Sequence, residues 1–111
     1  MARREALPTM VFDEIDVGVG GRTASVIAKK MLSLSLHTQI LCITHLAQIA
    51  CQGTHHFYIE KQTQGEAVRV QVVPLSEEER VTEIARMVGG NNITETVLQH
   101  AREMLKREVS A

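Results

Sequence analysis

A chain of 111 residues with 44% hydrophobic content can build one small domain around a modest core, and leaves little room for a second. Twelve Lys and Arg against thirteen Asp and Glu give a formal net charge of -1, which excludes a chain-wide basic footprint for nucleic acid. Aromatic content of 3% leaves Phe57 and Tyr58 as the few candidates for stacking on single strands.

Residues 1–8 carry charges but no apolar h-region, so no export signal is expected. The short apolar run at 9–12 (Thr-Met-Val-Phe) stops at Asp13, Glu14, Ile15 and Asp16, the pattern of a buried strand delivering acids at its C-terminal end. Residues 17–21 contain Gly18, Gly20 and Gly21 and read as a flexible turn. Ala24, Ile27, Ala28 and Met31 then recur at helical spacing, which predicts a helix over about 22–36. A second apolar run at 39–44, β-branched at Ile40 and Ile43, predicts a strand buried on both faces. Strand, helix and strand make a β-α-β unit with parallel strands. The most apolar stretch, 40–50, is interrupted by Thr44, His45 and Gln48 and is far short of the roughly 20 residues that span a bilayer.

A helical turn near 47–51 leads to two alternating runs, 55–61 and 67–73, which predict a hairpin turning at 63–66. Val68, Val70 and Val72 would form its packed face, with Arg69 and Gln71 toward water, and Pro74 closes it. Ser76 and Glu79 fit a capping box opening a helix whose stripe of Val81, Ile84, Ala85 and Val88 stops at Gly89 and Gly90. A last helix over about 94–108 carries Val97, Ala101, Met104 and Leu105 on one face, with Glu95 in its first turn and Lys106 and Arg107 in its last. Cys42 and Cys51, at no metal or redox spacing, read as free thiols in a reducing compartment, which favours the cytoplasm.

The chemistry concentrates where the first strand ends. Neighbouring strand residues face opposite ways, so Asp13 and Glu14 can have different tasks. In phosphate-loop ATPases such a strand sets its first acid near Mg²⁺ and the next beside the attacking water, which suits Asp13 to the metal and Glu14 to the water. A solvated turn or helix cap is the plainer reading of the same two acids. Asp16 fits an Asx-type turn before the glycines. Gly18, Gly20 and Gly21 lack a following Lys-Ser/Thr and read as backbone freedom rather than a phosphate cradle. His55 and His56, adjacent on a strand, would face opposite sides and read as strand surface rather than a metal pair.

Residues 9–24 (Thr-Met-Val-Phe-Asp-Glu-Ile-Asp-Val-Gly-Val-Gly-Gly-Arg-Thr-Ala) resemble the Walker B strand and D-loop of the RecN family, within the SMC branch of ABC ATPases. Residues 40–50 (Ile-Leu-Cys-Ile-Thr-His-Leu-Ala-Gln-Ile-Ala) look like that family's strand and switch histidine, and residues 79–90 and 101–105 are similar to its C-terminal end. The resemblance implies an α/β fold for 1–111 as one partial domain. That domain is the C-terminal lobe of an ABC/SMC-type ATPase head, with parallel strands, flanking helices, a β-hairpin and two C-terminal helices. It implies ATP and Mg²⁺ as ligands of the whole protein and His45 near the γ-phosphate. Asp16 would sit in a D-loop that reaches toward a second head in an ATP-dependent homodimer. It also implies recombinational repair of DNA double-strand breaks in the bacterial cytoplasm, at the nucleoid. Ligands of open parallel sheets sit beyond the strand carboxyl ends, where Asp13 and His45 would both emerge.

No Gly-x-x-x-x-Gly-Lys-Ser/Thr loop, Leu-Ser-Gly-Gly signature or heptad stretch is present. The expectation is therefore a truncated chain whose phosphate grip lies on an N-terminal half elsewhere. Such a chain would be inactive alone, and its sheet would expose an edge able to associate. A Mg²⁺-dependent toprim- or nuclease-like module using Asp13, Glu14 and Asp16 is one alternative. A non-catalytic docking domain built on the hairpin and last two helices is another.

Overall fold

A computed structural model describes residues 8–13, 18 and 20–110, with the side chains of 107–110 outside the description. Strand β1 (Thr9–Asp13) pairs in parallel with β2 (Gln39–Ile43), in register from Thr9 opposite Gln39 to Asp13 opposite Ile43. Helix α1 (Gly21–Leu34) makes the crossover between them. It stops two residues before the sequence pattern suggests, because the Ser35 N–H and hydroxyl both turn back onto carbonyls of its last turn. Ala24, Ala28 and Met31 of α1 pack on Phe12, Ile40 and Cys42, which share one face of the sheet.

The opposite face carries Val11, Leu41 and Ile43, which are 61%, 48% and 42% exposed. The expectation that β2 is buried on both faces is thus corrected: among the described residues α1 covers one side only. A parallel sheet normally has helices on both faces, and among the described residues only one of the two layers is present.

A single turn of helix, α2 (Ala47–Ala50), follows β2. The hairpin then forms from β3 (Phe57–Gln64) and β4 (Ala67–Pro74), turning at Gly65, whose φ of +62° favours a residue without Cβ. Its register sets Phe57, Ile59, Lys61 and Thr63 opposite Pro74, Val72, Val70 and Val68 on one face. Here too the sequence expectation needs correcting, since Val68, Val70 and Val72 are all exposed and no described element packs on them. Alternation reports which residues share a face, not whether anything covers it.

Helix α3 (Glu77–Gly89) begins at the expected capping box. The Ser76 hydroxyl accepts from the Glu79 N–H at 3.2 Å, and the Glu79 carboxylate accepts from the Ser76 N–H at 2.8 Å. The helix ends where Gly90 adopts φ +68° and ψ −143°, a region essentially closed to other residues. Helix α4 (Glu95–Ser110) opens with the Thr94 hydroxyl accepting from the Val97 N–H. Ile84, Ala85 and Ala101 are fully buried between α3 and α4, joined by Val81, Met87, Val97, Met104 and Leu105. Val88, expected in the stripe, is exposed and Met87 packs in its place.

Candidate functional site

Parallel pairing of β1 and β2 brings their carboxyl ends to one rim. Asp13 closes β1 there, exposed and in register with Ile43, and Thr44 and His45 leave β2 at the same end. Glu14 and Asp16, expected beside the attacking water and in the turn that follows, lie outside the described residues.

Of the glycines, Gly18 has φ +76°, which L side chains rarely adopt. Gly20 caps α1 with extended backbone and no side-chain hydrogen bond. A Cβ on Gly21 would lie 3.4 Å from the Gln48 side-chain nitrogen, so the start of α1 rests against α2. Both helices thus begin at the rim where Asp13 ends, as an α/β crossover requires.

His45 is exposed in the tight connection from β2 to α2. The Thr44 hydroxyl accepts from the Leu46 N–H at 3.0 Å, a local turn that fixes the backbone on both sides of the imidazole. Leu46 is extended (φ −102°, ψ 127°) and caps α2. At the other end of α2, Arg80 of α3 donates from Nη2 to the carbonyls of Ala50 at 3.1 Å, Cys51 at 3.3 Å and Gly53. Burial lowers the guanidinium pKa below its ordinary value.

His56 is half-buried beside Arg80. Burial first, and then the Arg80 charge, hold its imidazole below the usual 6.5 against the opposing pull of Glu83. His55, its neighbour, is exposed. Neither Arg80 nor Gln48 has a site role legible in the sequence motifs. Four residues before the buried Ile84, Arg80 falls on the core-facing side of α3, and an ionised group at such a spacing is the signal that identifies it.

Among the described residues no three His, Cys, Asp or Glu groups gather as a metal cage, and no helix is long and apolar enough to cross a membrane. One exposed carboxylate at the rim nonetheless suits Mg²⁺, which takes one or two carboxylates and completes its shell with water and phosphate oxygens. A shallow concavity lined by Val26, Lys29, Lys30, Ser33 and Leu34 follows α1 toward its C-terminal end, away from this rim.

No protein-family model matches the chain. A solved structure from work on ATP-driven dimerization and DNA-stimulated activation of SMC ATPases superposes with a TM-score of 0.58 at 18% identity, covering 79% of this chain and 52% of that one. Over the matched span the chain therefore shares the fold of part of that SMC ATPase structure.

In sequence the chain is similar to the DNA repair protein RecN. It is 48% identical over 102 residues to RecN of Haemophilus influenzae, a match spanning 92% of this chain and 18% of that relative. It is 42% identical over 104 residues to RecN of Vibrio cholerae and 41% identical over 104 residues to RecN of Bacillus subtilis. The chain spans less than one fifth of the length of these curated relatives, at 18%, 19% and 18% respectively.

Proposed function

We propose that this chain is the C-terminal lobe of a RecN-like ATPase head, with 1–111 forming one partial domain that supplies the metal, water and γ-phosphate-sensing side of an ATP site. The observation that carries the reading is the convergence of Asp13 and Thr44–His45 on one rim of a parallel strand pair. Likeness to RecN over nine-tenths of the chain and to an SMC ATPase fold supports it. The bare sheet face of Val11, Leu41 and Ile43 fits a lobe that completes its core against the polypeptide carrying the phosphate loop.

In this reading Asp13 holds Mg²⁺, which when bound offsets negative charge on the phosphoryl group. Glu14 accepts a hydrogen bond from the attacking water and orients it in line. His45 donates to a γ-phosphate oxygen, so the turn set by Thr44 governs its aim. Asp16, Gly18, Gly20 and Gly21 form the segment that faces a second head in an ATP-held homodimer. The whole protein would act on DNA in recombinational repair within the bacterial cytoplasm, associated with the nucleoid. This chain alone would be inactive, because positioning and charge stabilisation require the missing phosphate grip. The SMC ATPase likeness favours this over a metal-dependent nuclease.

The test joins this chain to the phosphate-loop half of a RecN relative. Glu14→Gln is expected to reduce ATP turnover by about a hundredfold or more while nucleotide binding survives. Unchanged turnover would defeat the assignment.

A further inference from the structure

Among the described residues, two apolar clusters meet at α2. Ile49 packs with Ala24, Ala28 and Met31 of α1, whereas Ala47 and Cys51 pack with Ile84, Ala85 and Ala101 of α3 and α4. Yet α2 has four residues, and helices shorter than about 12 residues are marginal without outside support. Its shape therefore depends on what holds its ends.

Thr44 holds the first end through the Leu46 N–H. Arg80 holds the other, where one guanidinium nitrogen shares its hydrogens among the carbonyls of Ala50, Cys51 and Gly53. A cation at a helix C-terminus also complements the partial negative charge of the unpaired carbonyls. A Cβ on Gly53 would press on the His55 carbonyl at 3.3 Å but would only touch the Arg80 nitrogen at 4.0 Å, so the glycine serves the local backbone path rather than the clamp.

We propose that Arg80 is a positioning residue for His45: by clamping the C-terminal end of α2 it fixes the one-turn helix, and through it the Thr44–Leu46 turn that carries the imidazole. The α3–α4 pair is in this way coupled to the rim where Asp13 ends. Its value for nucleotide chemistry rests on the reading of His45 given above. The coupling itself does not.

The test uses the 111-residue chain, with amide exchange at Ala50 and Cys51 and the ring resonances of His45 followed by NMR. Arg80→Gln is expected to accelerate exchange at both amides about tenfold, as befits a lost charged hydrogen bond, and to shift the His45 ring signals. Arg80→Lys, which keeps a cation and donors at the same place, should fall between Arg80→Gln and the parent chain, and it remains readable if the Gln variant fails to fold. Val97→Ala, destabilised at the α3–α4 contact, should leave His45 unmoved. Unchanged His45 signals in the Arg80 variants, or an equal shift in Val97→Ala, would overturn the proposal. If the signals move as expected but His45→Ala leaves ATP turnover of the joined protein intact, the nucleotide reading fails and the coupling stands.

Discussion

Ile84 and Val70 are both branched aliphatic residues, and the structure assigns them opposite energetic weights. Ile84 is 0% exposed at the α3–α4 contact, whereas Val70 is 53% exposed on a hairpin face that nothing described covers. Truncating a fully buried Ile to Ala loses its transfer free energy and leaves a cavity, about 3 kcal/mol together, and Ile to Val costs about 1 kcal/mol. For a chain of roughly 100 residues each kcal/mol moves the melting midpoint by about 4–8 °C, so Ile84→Val should lower it by that amount and Ile84→Ala by about 12–24 °C. Val70→Thr keeps the β-branched shape and adds a hydroxyl. At an exposed position it should change stability by no more than about 0.5 kcal/mol. A buried hydroxyl without a partner would instead cost about 1–3 kcal/mol. Thermal unfolding followed by circular dichroism at fixed pH reads all three variants. A Val70→Thr loss equal to that of Ile84→Val would show the hairpin face to be packed and refute the reasoning.

Removing the α3 cap by Ser76→Ala deprives the Glu79 N–H of its acceptor and should cost about 1 kcal/mol in the same melts. Gly90→Ala meets no neighbour but must adopt a backbone region nearly closed to alanine, so it should destabilise by about 1–3 kcal/mol. The folded pKa of His56 lies below its ordinary 6.5, so the unfolded chain binds the proton more readily and stability falls with acidification. That contribution is complete above pH 6.5 and is lost as pH falls through the folded value. His56→Gln should flatten the drop in melting midpoint below pH 6.5, and an unaltered slope would contradict the assignment.

Local signals carried most of the element order. The capping box at Ser76, the glycine stop at Gly90 and the parallel pairing around α1 follow from side-chain chemistry and period, which act within a few residues. Burial of β2 and of the valine face did not follow, because it depends on layers that other elements must bring. At the site, an acid and an imidazole after two apolar runs already suggested a common rim. What the sequence hid was the support beneath His45. Arg80 looks like one more charge on a surface helix until the fold carries it to the carbonyls of Ala50 and Cys51, thirty and twenty-nine residues away.

Paramagnetic broadening by Mn²⁺ and ATP, in this chain joined to the phosphate-loop half of a RecN relative, tests the ATP-site reading most directly. The ion would replace Mg²⁺, and nearby protons would lose signal. The account predicts broadening of the Ile43 methyls and the His45 ring while Val68 and Val70, by the hairpin turn, keep their linewidths. Broadening at the hairpin with sharp Ile43 and His45 signals would contradict it.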